Sequence, residues 1–175
     1  MIEYRPLRIA LLGAGTVGGQ VARLLLENKA ELAARVGAEL ELIGIAVRDI
    51  NSKRAEGVPA ELLTTDAEAL ILSADIVIEV MGGIEPARTL IRQALLAGAD
   101  VITANKALLA NHSTELFDVA EQVGAQLYYE AAVAAGVEGG AHEQQRRDRQ
   151  RHTPSSAGTD RFGHRDRLGR SGIRR

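Results

Sequence analysis

Residues 7–18 read Leu-Arg-Ile-Ala-Leu-Leu-Gly-Ala-Gly-Thr-Val-Gly. The first six have the length and near-continuous apolar character of a strand buried on both faces, and glycines follow at once in G-x-G-x-x-G spacing. In that spacing Gly13 makes a tight turn, Gly15 lets the main chain approach a pyrophosphate, and Gly18 packs a helix closely on the strand. A helix opening at Thr16 adds free N–H donors and partial positive charge for phosphates. Gly13, Gly15, Thr16, Val17 and Gly18 are therefore candidate dinucleotide-binding residues. The competing reading, a turn without a ligand, explains neither the strand before it nor the helix after it.

Working outward, Val17, Val21, Leu24, Leu25, Leu32 and Val36 fall at helical spacing and predict one long amphipathic helix from Thr16 to about Arg35, stopped by Gly37. Leu40 to Val47 predicts the next strand, and the polar stretch from Arg48 to Pro59 a loop. Thr65-Asp66-Ala67-Glu68 offers a capping box, with Thr65 as the cap of a short helix. Asp75 to Val80 reads as a buried strand ending at Met81-Gly82-Gly83, and a helix runs from about Pro86 to Ala97 before Gly98. Val101 to Ala104 is a strand, Ser113 to about Val123 a helix, and Gln126 to Glu130 a last strand. Strand and helix alternate, so the fold expected is α/β, a Rossmann-type doubly wound parallel sheet. Its ligands belong at the carboxyl ends of the strands, where the loops beginning at Gly13, Arg48, Gly82 and Asn105 share one rim.

Composition bounds the rest. With 175 residues, 46% apolar and 25% charged, the chain has the makeup of one soluble domain and not of a fibrous or wholly disordered protein. No apolar run approaches the roughly 20 residues of a membrane span, and the N-terminal one runs into the glycine loop instead of a cleavage site, so a cytoplasmic protein is expected. The absence of cysteine removes thiolate metal sites, iron–sulfur clusters and cysteine nucleophiles. The net charge of -2 conceals a split: residues 1–140 hold 11 Lys+Arg against 19 Asp+Glu, whereas 141–175 hold 10 arginines against 4 acids. In that tail only Phe162, Leu168 and Ile173 are large and apolar, so a dinucleotide-binding domain over 1–140 and a disordered arginine-rich tail over 141–175 are expected. Such a tail attracts nucleic acid electrostatically, but with one phenylalanine for stacking and no accompanying binding fold it predicts no specific nucleic-acid partner.

Two further positions on the rim bear on the ligand. Arg48 can grip a 2′-phosphate through its planar fork, with Lys53 or Arg54 in support, which favours NADP; Asp49 keeps NAD open. The competing reading of Arg48 is a solvated loop charge. Glu39 and Glu41 lie at the wrong end of their strand. Lys106, behind Thr103-Ala104-Asn105, stands where an ammonium can meet a nicotinamide, a ribose hydroxyl or a carbonyl oxygen, against the competing reading of a surface charge. Gly82 and Gly83 serve equally a close approach to ribose or a simple chain turn. His112, His142, His152 and His164 have no metal-ligand spacing.

Several segments are more specific than the glycine loop. They are Leu11 to Gly18, Gly44-Ile45-Ala46-Val47-Arg48-Asp49, Glu79-Val80-Met81-Gly82-Gly83-Ile84-Glu85, Val101-Ile102-Thr103-Ala104-Asn105-Lys106-Ala107-Leu108 and Tyr129-Glu130-Ala131-Ala132-Val133-Ala134. In this order they resemble the N-terminal half of homoserine dehydrogenases, over about the first 134 residues. The resemblance implies NAD(P)H-dependent reduction of aspartate 4-semialdehyde to homoserine, a branch step of threonine and methionine biosynthesis. It assigns the active-site lysine to Lys106, the pyrophosphate cradle to Gly13–Gly18, the 2′-phosphate contact to Arg48, and the nicotinamide neighbourhood to Thr103 with Lys106. It also implies a monovalent cation, often sodium, held chiefly by backbone carbonyls: Glu130 and Val133 match that site directly, Ala135 and Val137 by position only.

Past Ala134 the match ends. The family continues with a glycine, small residues and Ile-Pro, then a catalytic and dimerising domain through which it forms homo-oligomers, whereas Gly136-Val137-Glu138-Gly139-Gly140 here opens the arginine-rich tail. The family's acidic and lysine proton-transfer residues have no counterpart in the tail. The abrupt shift to Arg, Gly, Ser and Pro is the product expected of a frame-shift in GC-rich coding DNA, which resequencing the gene would test. Little or no turnover is expected of this chain alone, and a catalytically silent dinucleotide-binding fragment is the alternative.

Overall fold

A computed structural model describes residues 5–52 and 58–129; the tail, Lys53, Arg54, Glu130, Val133, Ala135 and Val137 lie outside them. Six strands form one sheet: β1 (Leu7–Leu12), β2 (Leu40–Ala46), β3 (Leu63–Thr64), β4 (Ile76–Glu79), β5 (Asp100–Thr103) and β6 (Leu127–Tyr129). Every pairing is parallel and the order is β3-β2-β1-β4-β5-β6, so the expected doubly wound sheet is present. The helices are α1 (Thr16–Glu27), α2 (Lys29–Val36), α3 (Ala67–Leu72), α4 (Ala87–Leu96) and α5 (Lys106–Val123). From β1 the chain winds outward to β2 and β3, then returns to β4 on the other side of β1 and winds to β6. The winding therefore reverses between β1 and β4, the crevice where such sheets bind ligands.

β1 lacks alternation because both of its faces are covered. Ile9 and Leu11 pack with Ala22 and Leu25 of α1 and with Leu42 and Ile45 of β2. Ala10 and Leu12 join the second core with Leu90 and Ile91 of α4 and Leu108 of α5. Burying each such leucine contributes about 1.5–3 kcal/mol, which makes this central strand a strong anchor for the loops at its end. Gly44 has a packing role of its own, since a Cβ there would lie 2.7 Å from Leu70 Cδ1, and its absence lets α3 close on β2.

At the opposite end of the sheet from the crevice, the starts of β1 and β4 are tied together. The Arg5 guanidinium donates to both oxygens of Asp75 at 2.8 Å, and Arg8 N–H donates to Oδ2 at 2.8 Å. The hydrogen bond from Arg5 holds the Asp75 carboxyl down at about 2.

Several elements differ from the sequence reading. The single helix expected over 16–35 is broken at Asn28 (φ -108°, ψ 25°) into α1 and α2, and α2 buries no residue fully, its Leu32 packing only partly buried against the core. The short helix α3 is capped by Asp66, whose side chain accepts from Ala69 N–H at 2.9 Å, and not by Thr65; the Thr64 hydroxyl oxygen in turn accepts from Asp66 N–H. α5 starts at Lys106 and not at Ser113 because Asn105 caps it, accepting from Leu108 N–H at 3.1 Å. β3 is an additional strand of only two residues, too short to leave an apolar run in the sequence.

Candidate functional site

The glycine turn sits at the end of β1, against the turn after β4. Gly13 has φ +105°, and a Cβ there would stand 3.1–3.2 Å from Met81 side chain and main chain. A Cβ on Gly18 would strike the Gly13 carbonyl and lie 3.2 Å from Val80 Cγ2. Gly15 is different: nothing comes within 4 Å of its Cβ position, so the space over it is open. Gly15 is also the N-cap of α1, which has neither a side-chain cap nor an acidic residue in its first turn. The N–H groups that open α1 consequently keep their capacity to hold an anion. Gly15, Thr16 and Val17 are exposed around this open corner, while Gly18 is buried beneath it.

On the β2 side, Arg48 is exposed and has no ion-pair partner among the described residues. Asp49 holds its own turn, its two carboxylate oxygens accepting from Asn51 N–H and the Ser52 hydroxyl, each at 2.9 Å. On the β4 side, Gly82 and Gly83 both have left-handed backbones, φ +74° and +78°, a conformation that glycine adopts without strain. Next to them Lys106 is exposed as the first residue of α5.

Beneath Lys106 lies a buried polar chain. The sheet register pairs Glu79 with Thr103, and the Thr103 hydroxyl donates to Glu79 Oε2 at 2.6 Å. Thr103 Oγ1 accepts from Asn105 N–H at 3.1 Å. Glu79 Oε1 accepts from the N–H groups of Met81 at 2.8 Å and Gly82 at 3.3 Å. Asn105 Nδ2 donates to the Gly83 carbonyl at 2.6 Å. Glu79, Thr103 and Asn105 are 0%, 1% and 6% exposed, so the Thr103 hydroxyl is spent inside the protein and does not face the crevice.

The structure thus brings Gly13, Gly15, Thr16, Val17, Gly18, Arg48, Thr103 and Lys106 to the carboxyl ends of β1, β2 and β5, on one rim. Glu79 and Asn105 add to the site side chains that the motifs alone do not single out. The signal for Glu79 was its parity with the fully buried Val77, which places a charged residue on an inward face. His112 lies on α5 with Nδ1 3.6 Å from Glu115. Glu115 also forms a two-pronged pair with Arg88 of α4, which lowers the Glu115 carboxyl and raises the guanidinium. Among the described residues no group of three or more His, Cys, Asp or Glu side chains could hold a metal ion; the residues expected to hold sodium are outside them.

A parallel sheet in this order, with an uncapped glycine turn at its switch point, is the geometry of a dinucleotide-binding domain, and comparison with known proteins gives it a family. The family model for the NAD-binding domain of homoserine dehydrogenase matches residues 13–130. The chain belongs to the homoserine dehydrogenase family. It is 58% identical over 131 residues to the homoserine dehydrogenase of Corynebacterium glutamicum, covering 74% of this chain and 29% of that enzyme. A crystal structure of S. aureus homoserine dehydrogenase superimposes with a TM-score of 0.67 at 42% identity, over 73% of this chain and 33% of that one. A hyperthermophilic archaeal homoserine dehydrogenase in complex with NADPH matches at a TM-score of 0.57 and 26% identity, over 73% of this chain and 44% of its own. The chain therefore spans about 30% of the length of the curated homoserine dehydrogenases it matches, and what it shares with these oxidoreductases is their NAD-binding part. No helix among the described residues is long and apolar enough to cross a membrane.

Proposed function

We propose that this chain, through a domain over 1–140, forms the NAD(P)H-binding half of a cytoplasmic homoserine dehydrogenase, which reduces aspartate 4-semialdehyde to homoserine in threonine and methionine biosynthesis. The observation that carries this reading is the single rim on which the uncapped glycine turn and Lys106 lie on either side of the switch between β1 and β4. The residues present suit the dinucleotide. Open space over Gly15 and the bare N-terminus of α1 accept a pyrophosphate. Arg48, exposed at the end of the neighbouring strand, accepts a 2′-phosphate, which favours NADP over NAD.

Bound there, the dinucleotide supplies hydride. The chain's own residues do the rest of the work on this half. The α1 N-terminus fixes the pyrophosphate, and the Met81–Gly83 turn and Lys106 border the nicotinamide end. Lys106 Nζ donates a hydrogen bond to the substrate carbonyl oxygen and stabilises the negative charge that grows there as hydride arrives. Thr103 supports this end from below through its bonds to Glu79 and Asn105. A monovalent cation, sodium by the family resemblance, would be held by main-chain carbonyls of Glu130, Val133, Ala135 and Val137.

A second reading is a cofactor-binding fragment without catalysis, since the family model matched is that of the NAD-binding domain. One experiment separates these outcomes: titration with NADPH and NADH by nucleotide fluorescence, with turnover of aspartate 4-semialdehyde measured on the same sample. NADPH binding tighter than NADH supports the cofactor assignment, and turnover then distinguishes enzyme from silent fragment. Failure of both nucleotides to bind would overturn the assignment.

A further inference from the structure

Glu79 is the one carboxylate among the described residues that is fully buried, and it lies under the rim, away from the ion pairs at the other end of the sheet. Taking a carboxylate out of water is costly unless its oxygens are satisfied. Here they are satisfied by groups of a particular kind. Oε1 takes the N–H groups of Met81 and Gly82, the turn that presses on Gly13. Oε2 takes the hydroxyl of Thr103, on the strand that leads to Lys106. Thr103 Oγ1 accepts from Asn105 N–H, and because a carboxylate oxygen can only accept, the hydroxyl proton is given to Glu79. Asn105 then closes the loop by donating to the Gly83 carbonyl and capping α5. Every member of this ring is bonded within it, and the ring joins the Met81–Gly83 turn to the N-terminus of α5. A sheet strand needs none of this for its own stability, since an apolar residue at the same inward position would pack without desolvating a charge.

We propose that Glu79 is a positioning residue for the nicotinamide half of the dinucleotide site: its carboxylate fixes the Met81–Gly82 main chain and, through Thr103 and Asn105, the start of α5 that bears Lys106. The inference rests on the dinucleotide reading above and adds to it a residue that acts without touching the ligand. The ring lies on the β4–β5 side of the switch point, whereas the adenosine and pyrophosphate are held by α1 and the end of β2. The two halves of the ligand should therefore respond differently to a change at Glu79.

The test uses the whole chain and two ligands per variant: NADPH against 2′-phosphoadenosine diphosphoribose, which lacks only the nicotinamide, and NADH against ADP-ribose. Glu79→Gln keeps the shape but removes the charge and turns an acceptor into a donor facing Thr103, so the buried Thr103 proton loses its acceptor and the charge-assisted bond gives way to, at best, a weaker neutral one of reversed direction. Expected is a roughly tenfold loss in affinity for the complete dinucleotide, with the nicotinamide-free ligand held within about twofold. A purely structural role would weaken both ligands alike. Thr103→Val, which removes the hydroxyl link and leaves Glu79 its two main-chain donors, should show the same split and decides the matter if Glu79→Gln does not melt cooperatively. Parallel loss of both ligands, unchanged binding of both, or loss of cooperative melting in both variants would overturn the proposal. If the unmutated chain itself bound no dinucleotide, the reading beneath it would fall instead.

Discussion

Over β1 and β2 the rim is built from main chain and bare space; over β4 and β5 it is built from buried side chains. On the first side three glycines shape the turn, α1 opens without a cap, and Arg48 stands exposed. On the second side Glu79, Thr103 and Asn105 are buried and hydrogen-bonded to one another or to the turns above them. The difference matches the demands of the two ends of a dinucleotide. A pyrophosphate is held by N–H groups that any residue supplies, provided no side chain intrudes. A nicotinamide must be held at a fixed angle to a reacting carbon, and that requires loops whose positions are set from beneath.

The largest effect expected is at Gly18, where the main-chain side fails if its space is filled. Gly18→Val places atoms against the Gly13 carbonyl and Val80, which should cost about 1–3 kcal/mol of folding stability and weaken both dinucleotides by roughly 100-fold. Urea unfolding and fluorescence titration check the two parts. Arg48→Ala should act on one ligand only, lowering NADPH affinity roughly tenfold and leaving NADH nearly unchanged; an equal loss of both would assign Arg48 to the pyrophosphate.

Asn105→Ala probes the side-chain half from its edge. Loss of the α5 cap and of the bond to the Gly83 carbonyl should lower stability by roughly 1–2 kcal/mol, read by urea unfolding, and should weaken complete dinucleotides more than their nicotinamide-free analogues. Asp75, at the far end of the sheet, is the control. Its carboxyl titrates at about 2 when folded, below the unfolded value of 3.8. The stability it contributes is thus fully present above about pH 4 and lost as the pH falls toward 2. At its partly exposed position this amounts to roughly 1 kcal/mol after screening. Asp75→Asn should flatten that part of the pH–stability curve and leave dinucleotide affinity at neutral pH unchanged.

The same contrast explains what the sequence discloses. The glycine turn was legible because its residues are constrained by backbone shape, and shape leaves a spacing. β1 and β4 were legible because strands covered on both faces read as apolar runs, and Arg48 and Lys106 because charged residues just past such strands fall on the rim. The ring around Glu79 was not legible as a ring. Its bonds join residues 24 and 22 positions apart, and no local pattern encodes which donor a buried carboxylate will meet. The early start of α5 is hidden for a related reason: Asn105 follows directly on a strand, and only its bond to Leu108 N–H marks it as a cap. At Asn28, conversely, the apolar period runs on through Leu32, which packs partly buried against the core, while the backbone itself breaks and leaves α2 with no fully buried residue.

The most direct test of a rim with two differently built halves is an amide chemical-shift map of the unmutated chain, titrated first with 2′-phosphoadenosine diphosphoribose and then with NADPH. The first ligand should move the amides of Gly13–Gly19 and Arg48 and leave Met81–Gly83 and Ala104–Ala107 in place, and NADPH should move both sets. Identical maps for the two ligands, or no movement at the α1 N-terminus with either, would contradict it.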